Sequence, residues 1–118
     1  MILVDTSIWV DHLRRGDPAL AARLEAEDVL IHPLVLGELA VGNLGQREIV
    51  LESLADLPRA AVASDDEVLG YIELHRLYGR GLSYVDACLL ASTRLTPGSR
   101  LWTRDRRLAD VAEQLGLG

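Results

Sequence analysis

The sequence of 118 residues has no lysine, no phenylalanine and a single cysteine, Cys88. One cysteine cannot form an intrachain disulfide, so a disulfide framework is excluded and a reducing compartment fits best. No apolar run approaches the roughly 18 residues that a membrane-spanning helix needs. The opening segment, Met1 to Leu13, has no basic region, and Asp5 and Asp11 interrupt it too early for a secretory signal. The expectation is a cytoplasmic protein with no membrane attachment. Aromatic residues are limited to Trp9, Trp102 and three tyrosines, which leaves little surface for stacking on bases. The net charge of −6 also excludes the basic coat of a nonspecific nucleic-acid binder.

What is present is an ordinary globular composition, 49% hydrophobic and 25% charged, in a length suited to one domain spanning residues 1–118. The basic residues are all arginine and fall in groups: Arg14 and Arg15, Arg76 and Arg80, then Arg104, Arg106 and Arg107. Arginine's planar fork suits bidentate contact with phosphate, although isolated surface arginines are more often simply solvated.

Ile2-Leu3-Val4 and Val29-Leu30-Ile31 read as short buried strands, and Leu101-Trp102-Thr103 as a third. Ala60 to Ala63 is a weaker strand candidate. Helices are expected from Thr6 to about Leu13, Pro18 to about Ala26, Pro33 to near Gly42, and Gly45 to Leu57. Ser64, with Glu67 three residues on, has the capping-box spacing and opens a helix that Gly79 and Gly81 end. Ser83 opens another through about Thr93, and a last helix runs to about Leu115. Apolar strands alternating with helices give a three-layer α/β/α fold around a mainly parallel sheet of about four strands. In such sheets the carboxyl ends of the strands share one edge, where ligands bind.

Four acidic residues stand apart from the polar stretches that hold the rest. Asp5 follows the first strand directly, and it reads equally as an N-cap. Glu38 has Leu34, Val35, Val41 and Gly42 one helical turn away, so it faces the core or a cleft unless an arginine pairs with it. Asp86 lies among Leu82, Val85, Leu89 and Leu90, yet Ser83-x-x-Asp86 is also an acidic capping box. Asp105 follows the strand at Leu101, and alone reads best as a cap for the last helix. Together they are more telling. Carboxylates converging without lysine repel unless a cation is present. Hard oxygen donors of this number suit Mg²⁺ or Mn²⁺ rather than zinc, and His12, His32 and His75 have no ligand spacing. A site of this kind can activate water and stabilise charge during in-line phosphodiester hydrolysis.

The segments Ile2 to Trp9, Leu36-Gly37-Glu38-Leu39, Leu82 to Ala87 and Leu101 to Asp105 resemble, in order and spacing, those of the PIN-domain family. Within it they are most similar to the VapC toxins of toxin–antitoxin pairs. The resemblance implies a Mg²⁺- or Mn²⁺-dependent endoribonuclease whose metal-coordinating acids are Asp5, Glu38, Asp86 and Asp105. It also implies that Thr6 or Ser7, with Thr103, orient the acids or a phosphate. With the four acids at work on phosphate, Arg14, Arg15, Arg104, Arg106 and Arg107 are expected to guide the RNA backbone. A homodimer and a small VapB-like antitoxin that inserts into the active-site groove are expected partners. One departure from the family pattern stands at Leu115-Gly116-Leu117-Gly118, where another strand is expected: the edge strand is missing or reduced to a few residues.

Other readings remain. Phospho-acceptor enzymes also place an aspartate after a strand, but they pair a lysine with the phosphate, and Ser7 stands where a phosphatase needs a second aspartate. A catalytically inactive PIN-like metal-binding module acting through protein partners keeps the same fold. DNA in place of RNA is equally compatible with the acids, which say nothing about the 2′-hydroxyl.

Overall fold

A computed structural model describes all 118 residues. The elements in chain order are β1 (Ile2–Val4), α1 (Thr6–Arg15), α2 (Pro18–Glu25), β2 (Val29–Leu30), α3 (Pro33–Val41) and α4 (Arg47–Ala55). They are followed by α5 (Asp65–His75), α6 (Tyr84–Leu95), β3 (Arg100–Trp102) and α7 (Arg106–Gln114). The strands form one parallel sheet in the order β2-β1-β3. No helix is long and apolar enough to cross a membrane.

The central strand has no solvent side: Leu3 and Val4 are fully buried. Helices cover the sheet to give the three-layer arrangement, with α1 against α3, α3 against α4, and α6 against both β3 and α5. The deepest residues, including Ile8, Leu20, Leu89, Leu90 and Leu108, come from four different helices. Each contributes about 1.5–3 kcal/mol by leaving water, so the core holds the helix starts in place relative to the sheet.

The helix starts follow the predicted chemistry. Ser64 and Glu67 form a reciprocal capping box on α5, and Ser83 and Asp86 form one on α6. The end of α5 differs from expectation. It stops at His75, not at the glycines, because Arg76 takes the left-handed conformation (φ 53°), and the next residue, Leu77, is buried. That conformation costs a non-glycine residue about 1 kcal/mol, which burial of Leu77 offsets.

The sheet has three strands rather than four. The segment expected as a strand at Ala60 to Ala63 forms none; a single parallel bridge, Ile31 to Arg59, falls just before it, flanked by hydrogen bonds from Ile31 to Pro58 and from Ala60 to Ile31. Its later backbone donors are taken by side chains of α6: Ala61 donates to Thr96 Oγ1 (2.9 Å) and Ala63 to Ser92 Oγ (3.3 Å). At the opposite edge, Leu101 donates to the Leu117 carbonyl at 2.7 Å, so the expected last strand is reduced to one ladder contact.

His32 caps α3 from inside the core. Its Nδ1 accepts the Leu34 backbone N–H at 3.0 Å and its Nε2 lies 3.0 Å from Ser92 Oγ. Nδ1 must therefore be unprotonated, and burial pushes the imidazole below its ordinary value of 6.5. The unfolded chain takes up a proton that the folded one refuses. The His32 contribution is thus fully present above about pH 6.5 and is lost as pH falls through the lowered folded value. Urea unfolding should show stability declining from about pH 7.5 to about pH 5.5. In His32→Asn, which can still cap, that decline should flatten; an identical slope in the variant would rule out His32 as its source.

Candidate active site

In a sheet ordered β2-β1-β3, the connection from β1 runs to one side and that from β2 crosses back to the other, so the crevice lies beyond the carboxyl ends of β1 and β3. Asp5 follows β1, and Thr103, Arg104 and Asp105 follow β3. The ladder continues to the very edge, since the Asp5 backbone N–H donates to the Trp102 carbonyl at 2.9 Å. α6 leads into β3 through a tight turn and packs on it, so the start of α6, with Asp86, returns to the same edge.

Asp5 is only 9% exposed. Its Oδ1 accepts the Thr6 backbone N–H at 2.8 Å, and its Oδ2 accepts the Thr103 hydroxyl at 2.7 Å and the Ser7 hydroxyl at 3.4 Å. The Thr103 hydroxyl in turn accepts the Asp105 backbone N–H at 3.1 Å. On the other side, the Thr6 hydroxyl donates to Glu38 Oε1 at 2.6 Å. Hydroxyl groups therefore link Asp5, Glu38 and Asp105 into one chain of contacts. Asp86 makes no bond to the other three; its Oδ2 accepts the Ser83 backbone N–H at 3.0 Å.

Glu38 is exposed rather than buried. It lines a cleft of about 320 Å³ together with Val10, Leu13, Arg14, Leu39 and the turn from Gly42 to Gly45, while its neighbour Val35 is buried in the core and Leu34 and Val41 are exposed. The turn residues Asn43 and Leu44 had no sequence signal, lying between helices without periodicity.

The capping readings hold alongside the site. Asp105 Oδ1 caps α7 through Leu108 N–H at 3.1 Å, and Asp86 completes its capping box. Each uses one oxygen and leaves the other without a protein donor, and Glu38 Oε2 is free in the same way. None of the five ion pairs involves any of these four acids, although the chain has 12 arginines. The salt bridge considered for Glu38 does not form.

The other candidate residues separate into two kinds. Arg14 is exposed, unpaired and lines the cleft with Glu38, while Arg106 and Arg107 are exposed at the start of α7. Arg15 pairs with Asp11, and Arg104 pairs with both Asp11 and Asp17 while lying 5.4 Å from the Trp102 ring centroid. The Leu20 N–H and then Arg104 hold the Asp17 carboxyl below its usual range, and Asp17 raises Arg104.

The donors fit a hard divalent cation. They are carboxylate and hydroxyl oxygens, with no His or Cys among them, and no three acids form a closed protein cage. Mg²⁺ is ordinarily held by one or two carboxylates, with water and phosphate oxygens completing its shell.

The parallel sheet and its helical layers are those of a PIN domain, and the chain belongs to the PIN domain family, whose profile matches residues 2–114. Among curated proteins it is similar to Ribonuclease VapC32 of Mycobacterium tuberculosis, in both strain CDC 1551 / Oshkosh and strain ATCC 25618 / H37Rv. Each match is 49% identical over 117 residues, covering 99% of this chain and 94% of the relative.

Thr103→Val keeps the side-chain shape while removing the donor to Asp5 and the acceptor for the Asp105 N–H. Leaving a nearly buried carboxylate short of a partner should lower stability by about 1–3 kcal/mol. Urea denaturation would measure it, and a change within experimental error would show that Thr103 does not hold Asp5.

Proposed function

We propose that this chain is a Mg²⁺- or Mn²⁺-dependent endoribonuclease, the toxin of a cytoplasmic toxin–antitoxin pair. The observation that carries the reading is the hydrogen-bonded linkage of Asp5, Glu38 and Asp105 through Thr6 and Thr103, with none of these acids, nor Asp86, paired to any of 12 arginines. RNA as the substrate is supported by the relatives, which are named ribonucleases. The family resemblance supports a homodimer of PIN units, each spanning 1–118, and a small VapB-like antitoxin as the inhibiting partner.

Asp5, Glu38, Asp86 and Asp105 would hold the cation. When bound, it supplies Lewis acidity and neutralises charge developing on the phosphate. The chain's own residues set the geometry. Asp5 is the fixed point, both its oxygens being hydrogen-bonded and its side chain nearly enclosed. Thr6 and Thr103 steady Glu38 and Asp5 through their hydroxyls, and Ser7 adds a longer bond to Asp5. The free oxygens of Glu38, Asp86 and Asp105 are available to the cation without loss of the caps that Asp86 and Asp105 provide. Arg14, lining the cleft beside Glu38, offers a bidentate fork to a backbone phosphate. Arg106 and Arg107 extend that positive path along the RNA, so binding weakens with salt.

The test uses protein purified free of partners and incubated with total RNA. Discrete fragments are expected with Mn²⁺ or Mg²⁺, and none with EDTA. Asp5→Asn should cut at least about hundredfold more slowly, the scale of removing one catalytic electrostatic group. Undiminished cleavage in a folded Asp5→Asn protein, or in EDTA, would refute the proposal.

A further inference from the structure

We infer that Arg104 is a positioning residue of the active site, holding the Thr103–Asp105 segment against Asp5 and not contacting RNA. The inference rests on the nuclease reading above for its kinetic consequence, but its geometry is independent of it.

β3 ends at Trp102 and α7 begins at Arg106, so Thr103, Arg104 and Asp105 form a short irregular link. That link carries a hydroxyl bonded to Asp5 and a candidate metal ligand. No backbone ladder holds Arg104 itself. Its side chain crosses to the corner between α1 and α2, where Nη1 lies 3.3 Å from Asp11 Oδ2 and Nη2 donates to Asp17 Oδ2. Asp11 lies on α1, the helix that Asp5 caps, and Asp17 caps α2. The link is therefore tied to one side of the sheet edge at two points, Thr103 to Asp5 and Arg104 to the α1–α2 corner. Two attachments remove the rotation that one would allow.

The same contacts argue against a phosphate role. Both terminal nitrogens of Arg104 face carboxylates, and its guanidinium lies over Trp102. An RNA phosphate would have to displace Asp17, whose side chain is only 11% exposed. Arg14, by contrast, has no carboxylate partner and lines the cleft. Ion pairs at a protein surface add little to stability. A displacement of a reacting group by about 1 Å, however, can cost up to about 10²-fold in rate.

Asp17→Asn separates the two roles. Asparagine caps a helix as well as aspartate does, so the Leu20 cap survives while the charge facing Arg104 is lost. Positioning predicts that Asp17→Asn and Arg104→Ala each lower kcat about tenfold, with KM for RNA and the salt dependence of binding unchanged. The double variant should match Arg104→Ala, in which the contact with Asp17 is already lost, and Arg104→Lys should recover part of the rate. A phosphate contact predicts the reverse: Arg104→Ala raises KM and reduces the salt slope by about one unit, while Asp17→Asn frees the arginine and lowers KM.

Hydrogen exchange provides a readout without catalysis. The Asp105 and Leu108 amides, bonded to Thr103 Oγ1 and Asp105 Oδ1, should exchange faster in both variants, while the amides of α6 keep their protection and report an intact fold. Faster exchange in a protein that cuts no RNA would overturn the nuclease reading and leave the tether standing. Unchanged exchange at both amides would overturn the tether, whatever the activity.

Discussion

A nearly enclosed carboxylate with no cationic partner is the constraint on which the rest of this structure depends. Asp5 ends the central strand, where the polarity of a parallel sheet brings it beside the end of β3. Its three donors are one backbone amide and two hydroxyls. A charge in such a place is costly unless hydrogen-bonded, and the surrounding residues are arranged to meet that need. Thr103 must lie at the end of β3 for its hydroxyl to reach, and α1 must begin at once for the Thr6 amide to point back. The geometry of both neighbouring segments is thereby set by one side chain.

Helix capping and the proposed cation binding fall on the same residues here. An N-cap or capping-box carboxylate needs only one oxygen for the helix and leaves the other pointing outward. At Asp86 and Asp105 this arrangement fixes the side chain by local structure while leaving a donor available. The arginines complement it. Those near the edge are either tied to other acids, as Arg104 and Arg15 are, or exposed, as Arg14 is, and none neutralises the four acids.

Much of this was legible in the sequence because it is local. The run Ile2-Leu3-Val4-Asp5 announces a strand ending in an acid, and Ser64-x-x-Glu67 and Ser83-x-x-Asp86 announce their capping boxes through spacing alone. The order of the motifs also pointed to the family. What was not legible depends on contacts between distant segments. The candidate strand at Ala60 failed because Ser92 and Thr96 claim its amides, a competition across about thirty residues that no periodicity reveals. Glu38 has apolar helical neighbours yet is exposed, because only Val35 among them turns into the core while Leu34 and Val41 are themselves exposed. Arg104 read as one of a basic group, and only the fold brings Asp11 and Asp17 to it.

The central claim is that these acids form one cation site, and Mn²⁺-dependent thermal stabilisation tests it most directly. A ligand that binds only the folded state at about 100 times its Kd adds about 2.7 kcal/mol. The wild-type protein should therefore melt at a higher temperature as Mn²⁺ is raised. Asp105→Asn, which keeps the α7 cap, should lose that response. Asp28→Asn, at an acid already paired with Arg23 and the chain's amino terminus, should retain it. Equal shifts in all three proteins, or no shift in the wild type, would contradict the account.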